Sequence, residues 1–208
     1  MTLKLNGSSS GYTAIDAPAA AGSNTLVLPT TNGSAGQVLT TDGNGNLTWT
    51  TPGGGKILQV VKGTTVTGHI YTQSTTFDNV SDGTPSVTIT PSATSSKIFV
   101  TVSANLHNDD AGDTWYATLK RDIGGTLTDL GNATTGLAHG NNVTDLSYSN
   151  ATMTVVDSPN TTSACKYQLY MRNNNDDSSA QYHVILGGGQ HGGSTPIPSQ
   201  VIAMEIGA

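Results

Sequence analysis

The second part of this chain alternates apolar and polar residues in several short segments. In KIFVTVSANL (97–106), Ile98 and Val102 lie on one face of an extended segment and Phe99 lies on the other. The segment ACKYQLYMR (164–172) alternates in the same way. A period of two residues is typical of β-strands that bury one face.

Ten such segments predict ten strands, with turn-forming Gly, Pro and Asn residues between them. The predicted strands are residues 57–61, 68–72, 86–90, 97–106, 115–121, 126–130, 152–156, 164–172, 182–186 and 200–206. Ten short strands in roughly 150 residues favour an all-β fold, with two antiparallel sheets packed as a β-sandwich of the jelly-roll type. The alternation does not predict the order of the strands.

Residues 1–51 carry shorter apolar segments, separated by Gly, Ser and Asn turns. These segments are LKL (3–5), YTAI (12–15), NTLVLP (24–29), QVLT (37–40) and NLTW (46–49). The run from Asp42 to Asn46 predicts a tight hairpin turn, because Gly and Asn tolerate the positive φ angles that such turns require. Each segment is too short for a stable isolated hairpin. Residues 1–51 are therefore not expected to hold a fold alone.

These patterns predict two regions joined by a Pro/Gly linker. Residues 1–51 form a stem or attachment module, residues 52–56 form the linker, and residues 57–208 form the β-sandwich head. The glycine run in the linker favours a flexible connection.

Composition favours strands over helices and excludes several classes of function. Strong helix formers such as Glu, Lys, Arg and Gln are scarce, whereas the chain has 25 Gly. Eight Lys and Arg residues at a net charge of −6 do not supply the basic clusters that nucleic acid demands. No apolar run is long enough to span a membrane. The single cysteine, Cys165, cannot form an intrachain disulfide. We expect neither nucleic-acid binding nor membrane insertion.

Sequence motifs of catalysis and of cofactor binding are missing. The five His residues lack metal-ligand spacing, and neither CxxC nor HExxH occurs. No GxSxG nucleophile elbow is present. Glu205 is the only Glu, and no pair of Asp residues stands out for glycoside hydrolysis. The chain is predicted to be non-enzymatic and to hold no cofactor or metal.

Two polar loops, residues 107–114 and 173–181, are the candidates for recognition. The first is rich in carboxylates that could coordinate a hard cation such as Ca²⁺, but it lacks the closing Glu of an EF-hand. The alternative for both loops is a solvated connection between strands. The candidate residues are Asp109, Asp110, Asp113, Trp115, Asn174, Asp176 and Asp177.

Longer phrases of the sequence resemble a known family. Residues 9–50 contain GSNTLVLP and GQVLTTDGNGNLTW, with a glycine run behind them. They resemble a short module of tail-fibre and other virion structural proteins of marine and cyanobacterial bacteriophages. Residues 86–106, 157–172 and 201–208 resemble the head domain that follows this module.

The resemblance implies a homotrimeric appendage of the virion, with the small module as shaft or attachment piece and the sandwich as knob. The knob of a tail fibre would bind a host cell-surface glycan or protein. Unlike the usual family pattern, a chain of this length is not expected to carry a long shaft or a separate tail-docking domain ahead of the module. The alternative is therefore a capsid decoration protein (a head fibre or cement protein) that docks on the shell by its N-terminal segment. A depolymerase acting on host polysaccharide is a third hypothesis.

Four apolar residues of the N-terminal module are predicted to lie between chains. They are Val38, Leu39, Leu47 and Trp49. The surrounding segment of one chain offers no adequate partner for them, whereas three copies around a shared axis could bury them. Three weak recognition sites on one trimer would then bind a surface multivalently.

Overall fold

The computed structural model describes residues 3–52, 56–80, 82–108, 113–141, 147–174, 184–187 and 197–207. The chain divides into two compact units, Met1–Gly53 and Gly54–Ala208. The described residues contain strands, turns and bends but no helix. None of them belongs to a helix that could cross a membrane.

The described part of the chain forms fifteen strands. They are β1 (Leu3–Asn6), β2 (Tyr12–Ile15), β3 (Val38–Thr41), β4 (Leu47–Thr50), β5 (Ile57–Val66), β6 (Ile70–Thr72), β7 (Ser86–Ile89), β8 (Lys97–Asn108), β9 (Thr114–Ile123), β10 (Thr126–Asp129), β11 (Ala138–Asn141), β12 (Ser147–Asp157), β13 (Cys165–Asn173), β14 (Val184–Leu186) and β15 (Ser199–Ile206). β1 pairs with β2, and β3 pairs with β4, in two separate hairpins of the first unit.

The second unit is built from two antiparallel sheets. Sheet I runs β5–β15–β8–β12, and β14 and β6 continue it beside the end of β8. Sheet II runs β7–β13–β9, with β10 and β11 along the far edge of β9. The chain crosses between the two sheets several times, for example from β7 to β8 and from β8 to β9. The predicted all-β fold with an antiparallel sandwich is confirmed.

The core lies between the two sheets and follows the predicted alternation. Ile98 and Val102 on β8 are fully buried, while Phe99 on the opposite face is partly exposed. β13 departs from the prediction of one buried face, because its outward residues Gln168 and Tyr170 are buried as well. The cause is the connection before β7: Gln168 Nε2 donates to Thr84 Oγ1 at 3.1 Å, which holds this connection over the strand.

Two segments differ from the sequence prediction. β11 was not predicted, because AHGN has no apolar alternation; it is held by pairing with β9. NTLVLP was predicted as a short strand, but only Val27 forms an isolated bridge, to Asn46. Val27 N donates to Gly45 O at 2.9 Å, so the segment is tied to the 42–46 turn rather than to a sheet.

The sandwich has two ends with different roles in the chain. At the linker end β5 begins at Ile57, which pairs with Ile206. At the opposite end, the loop end, β8 ends at Asn108 and β9 begins at Thr114. β13 also ends at the loop end, because Asn173 pairs with the start of β9.

Glu205, the only Glu of the chain, is fully buried at the linker end. One carboxylate oxygen accepts hydrogen bonds from Ser92 N at 2.7 Å and Ser92 Oγ at 2.6 Å. The other oxygen accepts from Gln59 Nε2 at 2.6 Å. Burial disfavours the charged form, but these hydrogen bonds outweigh it and lower the pKa of Glu205 to about 2. The carboxylate thus ties β15 to β5 and to the turn after β7.

A second buried carboxylate joins the two sheets. Asp157 on β12 accepts two hydrogen bonds of 2.8 Å from Arg121 Nη1 on β9. It also accepts a hydrogen bond of 2.7 Å from the Tyr167 hydroxyl on β13. Burial, and then the hydrogen bond to Asp157, raise the pKa of Tyr167. The cluster thus links β12 of sheet I to β9 and β13 of sheet II near the linker end.

The Glu205 network makes a prediction about stability and pH. The substitution Glu205→Gln should lower the free energy of unfolding at pH 7 by about 2–3 kcal/mol, because an amide N–H then faces a buried donor. The wild-type carboxylate has a lowered pKa in the folded state, so its contribution is complete above the ordinary pKa of 4.5 and is lost as the pH falls towards about 2.

Urea unfolding followed by near-ultraviolet circular dichroism, at pH values from 7 to 2, tests this. The difference between wild type and Glu205→Gln should narrow steadily below pH 4.5. A difference that stays constant over this range would show that the carboxylate charge contributes nothing.

Candidate functional site

The loop end gathers part of the predicted recognition residues. Asp113 and Trp115 lie at the start of β9, and Asn174 follows the end of β13 directly beside them. Thr114 N donates to Asn174 Oδ1 at 2.8 Å, and Asn174 N donates back to Thr114 O at 3.0 Å. The remaining candidates, Asp109, Asp110, Asp176 and Asp177, lie outside the described residues.

Asp113 serves to hold this end of the sandwich together. It is only 4 % exposed, and its Oδ2 accepts a hydrogen bond of 3.1 Å from the fully buried Asn173 Nδ2. One carboxylate oxygen is therefore committed to the neighbouring strand, and little of the side chain reaches solvent. Within the described ranges no group of three His, Cys, Asp or Glu residues could hold a metal ion. Among the recognition candidates within the described ranges, which are Asp113, Trp115 and Asn174, only Asn174 is exposed.

Trp115 is a core residue, which corrects its assignment as a recognition contact. It is 3 % exposed and belongs to the cluster between the sheets. Gly140, its partner on β11, lies so close that a Cβ there would stand 2.6 Å from the indole ring. The alternation of Trp115, Ala117 and Leu119 along β9 was the sequence signal for burial.

Sequence reasoning missed a row of cations and aromatic rings on the outer face of sheet II. The guanidinium of Arg172 lies 4.0 Å from the centroid of the Tyr116 ring and 5.4 Å from that of Phe77. The ammonium of Lys120 lies 5.8 Å from the Phe77 centroid and 4.7 Å from that of Tyr170. Cation–π contacts of this kind are attractive at such distances. The signal in the sequence was the polar face of ACKYQLYMR.

Lys120 lies between two shallow grooves on this face. The larger, of about 480 Å³, is lined by Phe77, Asp129, Arg172 and nearby threonines. The smaller, of about 210 Å³, includes Lys166. Lys166 Nζ is paired with Asp82 at 2.6 Å, whereas the Lys120 ammonium donates no hydrogen bond to any described residue. Lys120 therefore has donors available for a hydroxyl or carboxylate group of a ligand.

The first unit has no core of its own. None of its described residues, 3–52, falls in the buried class. Its large apolar side chains are mostly exposed by about half or more, a condition that isolated hairpins cannot maintain in water. The exposed residues are Leu3, Leu5, Tyr12, Ile15, Leu26, Val27, Leu28, Val38 and Leu39. This unit therefore offers apolar surface to a partner.

The β3–β4 hairpin arranges the predicted interface residues on two faces. Leu39 pairs with Trp49, and Leu47 lies two residues before Trp49, so these three share one face. Val38 lies on the other face, with Thr40, Thr48 and Thr50. Leu47 and Trp49 are partly buried, whereas Val38 and Leu39 are exposed.

Trp49 has a partner in its own chain that the sequence did not reveal. Its Nε1 donates a hydrogen bond of 2.7 Å to Thr31 O. Its ring lies over Gly33, where a Cβ would stand 2.7 Å from the indole and where φ is +71°. One side of the indole is thus covered within the chain, and the residue as a whole remains partly exposed.

The contact between Trp49 and Gly33 can be tested with two glycine variants. Gly33→Ala should displace the indole and increase acrylamide quenching of tryptophan fluorescence, because a Cβ cannot fit beside the ring. Gly36→Ala is the matched control: its φ is +85°, but nothing lies within 4 Å of an added Cβ. Trp115 is buried and contributes little quenching in either variant. Equal quenching in the two variants would contradict the contact.

Comparisons with known proteins find similarity among solved structures. No protein-family model matches the chain, and no curated protein sequence is similar to it. Among solved structures, a mutant VP2 protein of infectious bursal disease virus, from derived T=1 particles, aligns with 76% of this chain at 15% identity and a TM-score of 0.36. The aligned part spans 38% of that protein. This similarity is too weak to indicate a function, so the function has to be argued from the residues of the chain itself.

Proposed function

We propose that the chain is a non-enzymatic structural protein of a bacteriophage virion, a homotrimeric fibre or knob on the particle surface that engages the host. The observation that carries the proposal is the first unit, whose described residues include none that is buried. A segment with this much exposed apolar surface requires other chains. The resemblance of several sequence phrases to phage tail-fibre and other virion structural proteins suggests the virion as the setting.

The proposal assigns a different role to each of the two units. The first unit joins the chain to its copies and to another virion protein, of the tail or of the capsid. The sandwich has a complete core and presents the loop end, at Asn174, away from the point where β5 begins. The linker precedes β5 at the opposite end, and we assign the loop end to contact with the host surface.

The location of the protein on the particle tests the virion role. Gold-labelled antibody against the purified chain should decorate intact particles at the tip of the tail. Label confined to the head would contradict the tail fibre and favour the capsid decoration protein. An absence of label from purified, intact particles would contradict both versions.

Light scattering after size-exclusion chromatography tests the trimer. The full chain at micromolar concentration should give a mass of about 64 kDa, three times the 21.3 kDa of one chain. The physical reason is that each copy leaves apolar residues that only association removes from water. A mass near that of a single chain at these concentrations would contradict the trimer.

Host binding predicts that purified protein competes with the phage for its receptor. Lys120→Ala should weaken this competition by roughly 10- to 100-fold, because a hydrogen bond to a charged group contributes about 1.5–3 kcal/mol. Lys56→Ala is the matched control, since Lys56 is exposed and directly precedes β5 at the linker end, away from both grooves. If both variants lose the same amount of competition, or if Lys120→Ala loses none, the groove beside Lys120 is not part of the receptor-binding site.

A further inference from the structure

The outer face of sheet I carries an uninterrupted apolar row. Val60 on β5 pairs with Met204 on β15, which pairs on its other side with Phe99 on β8; Phe99 pairs in turn with Val156 on β12. Paired residues of an antiparallel sheet point to the same side. Val60 and Val156 are 59 % and 57 % exposed, so both ends of the row are bare.

Neighbouring positions extend this row into a patch. Ile202 and Ile206 point outward on β15, on either side of Met204, because residues two apart in a strand share a face. Leu58, two residues before Val60, is also exposed. The outward positions of the four strands hold lysines, threonines and other polar residues around the patch, and no carboxylate.

The two outer faces of the sandwich differ in what covers them. On sheet II, Gln168 and Tyr170 are buried by the chain itself, and cations occupy much of the remaining face. On sheet I, no described segment covers Val60 or Val156. The sandwich thus leaves its apolar outer face bare and covers its polar one, the reverse of what water favours for a lone molecule.

The size of the face limits what can cover it. Strands about 4.8 Å apart, with residues about 3.3 Å apart along them, give a four-strand face of eight residues an area of roughly 500 Å². A stable interface buries about 800 Å² on each partner. The face of sheet I alone supplies much of one side of such an interface.

We infer that the outer face of sheet I, centred on Val60, Met204, Phe99 and Val156, is the surface by which the sandwich associates with further copies of this chain. The inference rests on the trimer of the proposed function and names the surface that forms it. A second copy is the occupant because the first unit already requires association with copies. One association event then covers both bare apolar surfaces. The outer face of sheet II and the loop end remain outward, available for recognition.

A double variant tests this surface in the full-length chain. Val60→Glu with Val156→Glu should raise the dissociation constant of the oligomer by roughly 100-fold or more, because burying unpaired carboxylates at an interface is costly. Both residues are more than half exposed in the single chain, so the sandwich itself tolerates the change. The control is Leu127→Glu on β10 of sheet II, where Leu127 is 53 % exposed. Sedimentation equilibrium over a dilution series measures the constants.

A fluorescent label gives a second readout that leaves the apolar row intact. Thr154→Cys lies beside the row on β12, and an environment-sensitive dye attached there should shift its emission to the blue as the oligomer forms. Cys165 does not compete for the dye, because it is fully buried and burial raises the pKa of its thiol. The control label, at Thr88→Cys on the outer face of sheet II, should not shift.

Each outcome supports or contradicts the outer face of sheet I as the association surface. The assigned surface is supported if the double variant dissociates while Leu127→Glu does not, and if the dye at position 154 shifts its emission while the dye at position 88 does not. A monomeric wild type, an unchanged double variant, or equal weakening by Leu127→Glu overturns it. An oligomer that survives the double variant would leave the virion role standing, because association would then run through the first unit or through another virion protein. Conversely, absence of the protein from particles would retire the virion role without affecting these measurements.

Discussion

Apolar side chains are scarce in this chain, and the contact between the two sheets uses most of them. Leu, Ile, Val and Phe together are few for a protein of 208 residues, and the fully buried ones belong to the second unit. Burial of roughly 25 cal/mol per Å² of apolar surface is the main force that holds a sandwich together. The first unit has no share in this core, and none of its described residues is buried.

The same scarcity accounts for the polar groups inside the sandwich. Glu205 and Asp157 close the linker end of the core by hydrogen bonds to named donors rather than by further apolar packing. Paired in this way, buried carboxylates hold neighbouring strands in one register, although removing any one partner is costly. The outward apolar row on sheet I is notable against this background, because its side chains contribute nothing to the core of their own chain.

Much of the second unit could be predicted from period-two alternation. The strand with Ile98 and Val102 was predicted because its buried residues recur at every second position. Strand order was beyond this reasoning, since β15 pairs with β5 across most of the unit. The burial of Tyr170 was also missed, because it depends on a distant connection laid over the strand, and local pattern carries no trace of such a contact.

The candidate sites could be predicted only in part. The sequence named the loops beside the start of β9 and the end of β13 as candidates, but their adjacency follows only from the pairing of the two strands. It also treated Trp115 as a recognition residue, although its neighbours on β9 alternate as core residues. Trp49 was expected to lack a partner in its chain. Its partner is Gly33, and that contact depends on a positive φ and a close approach that no periodicity encodes.

The central claim is that the first unit is ordered through association with other copies. Hydrogen–deuterium exchange of the full chain, measured across a dilution series that spans dissociation of the oligomer, tests it most directly. The account predicts that the amides of β3 and β4 lose protection on dilution, while those of β8, in the core of the sandwich, keep theirs. Protection of β3 and β4 that is the same in the dissociated chain as in the oligomer would contradict it.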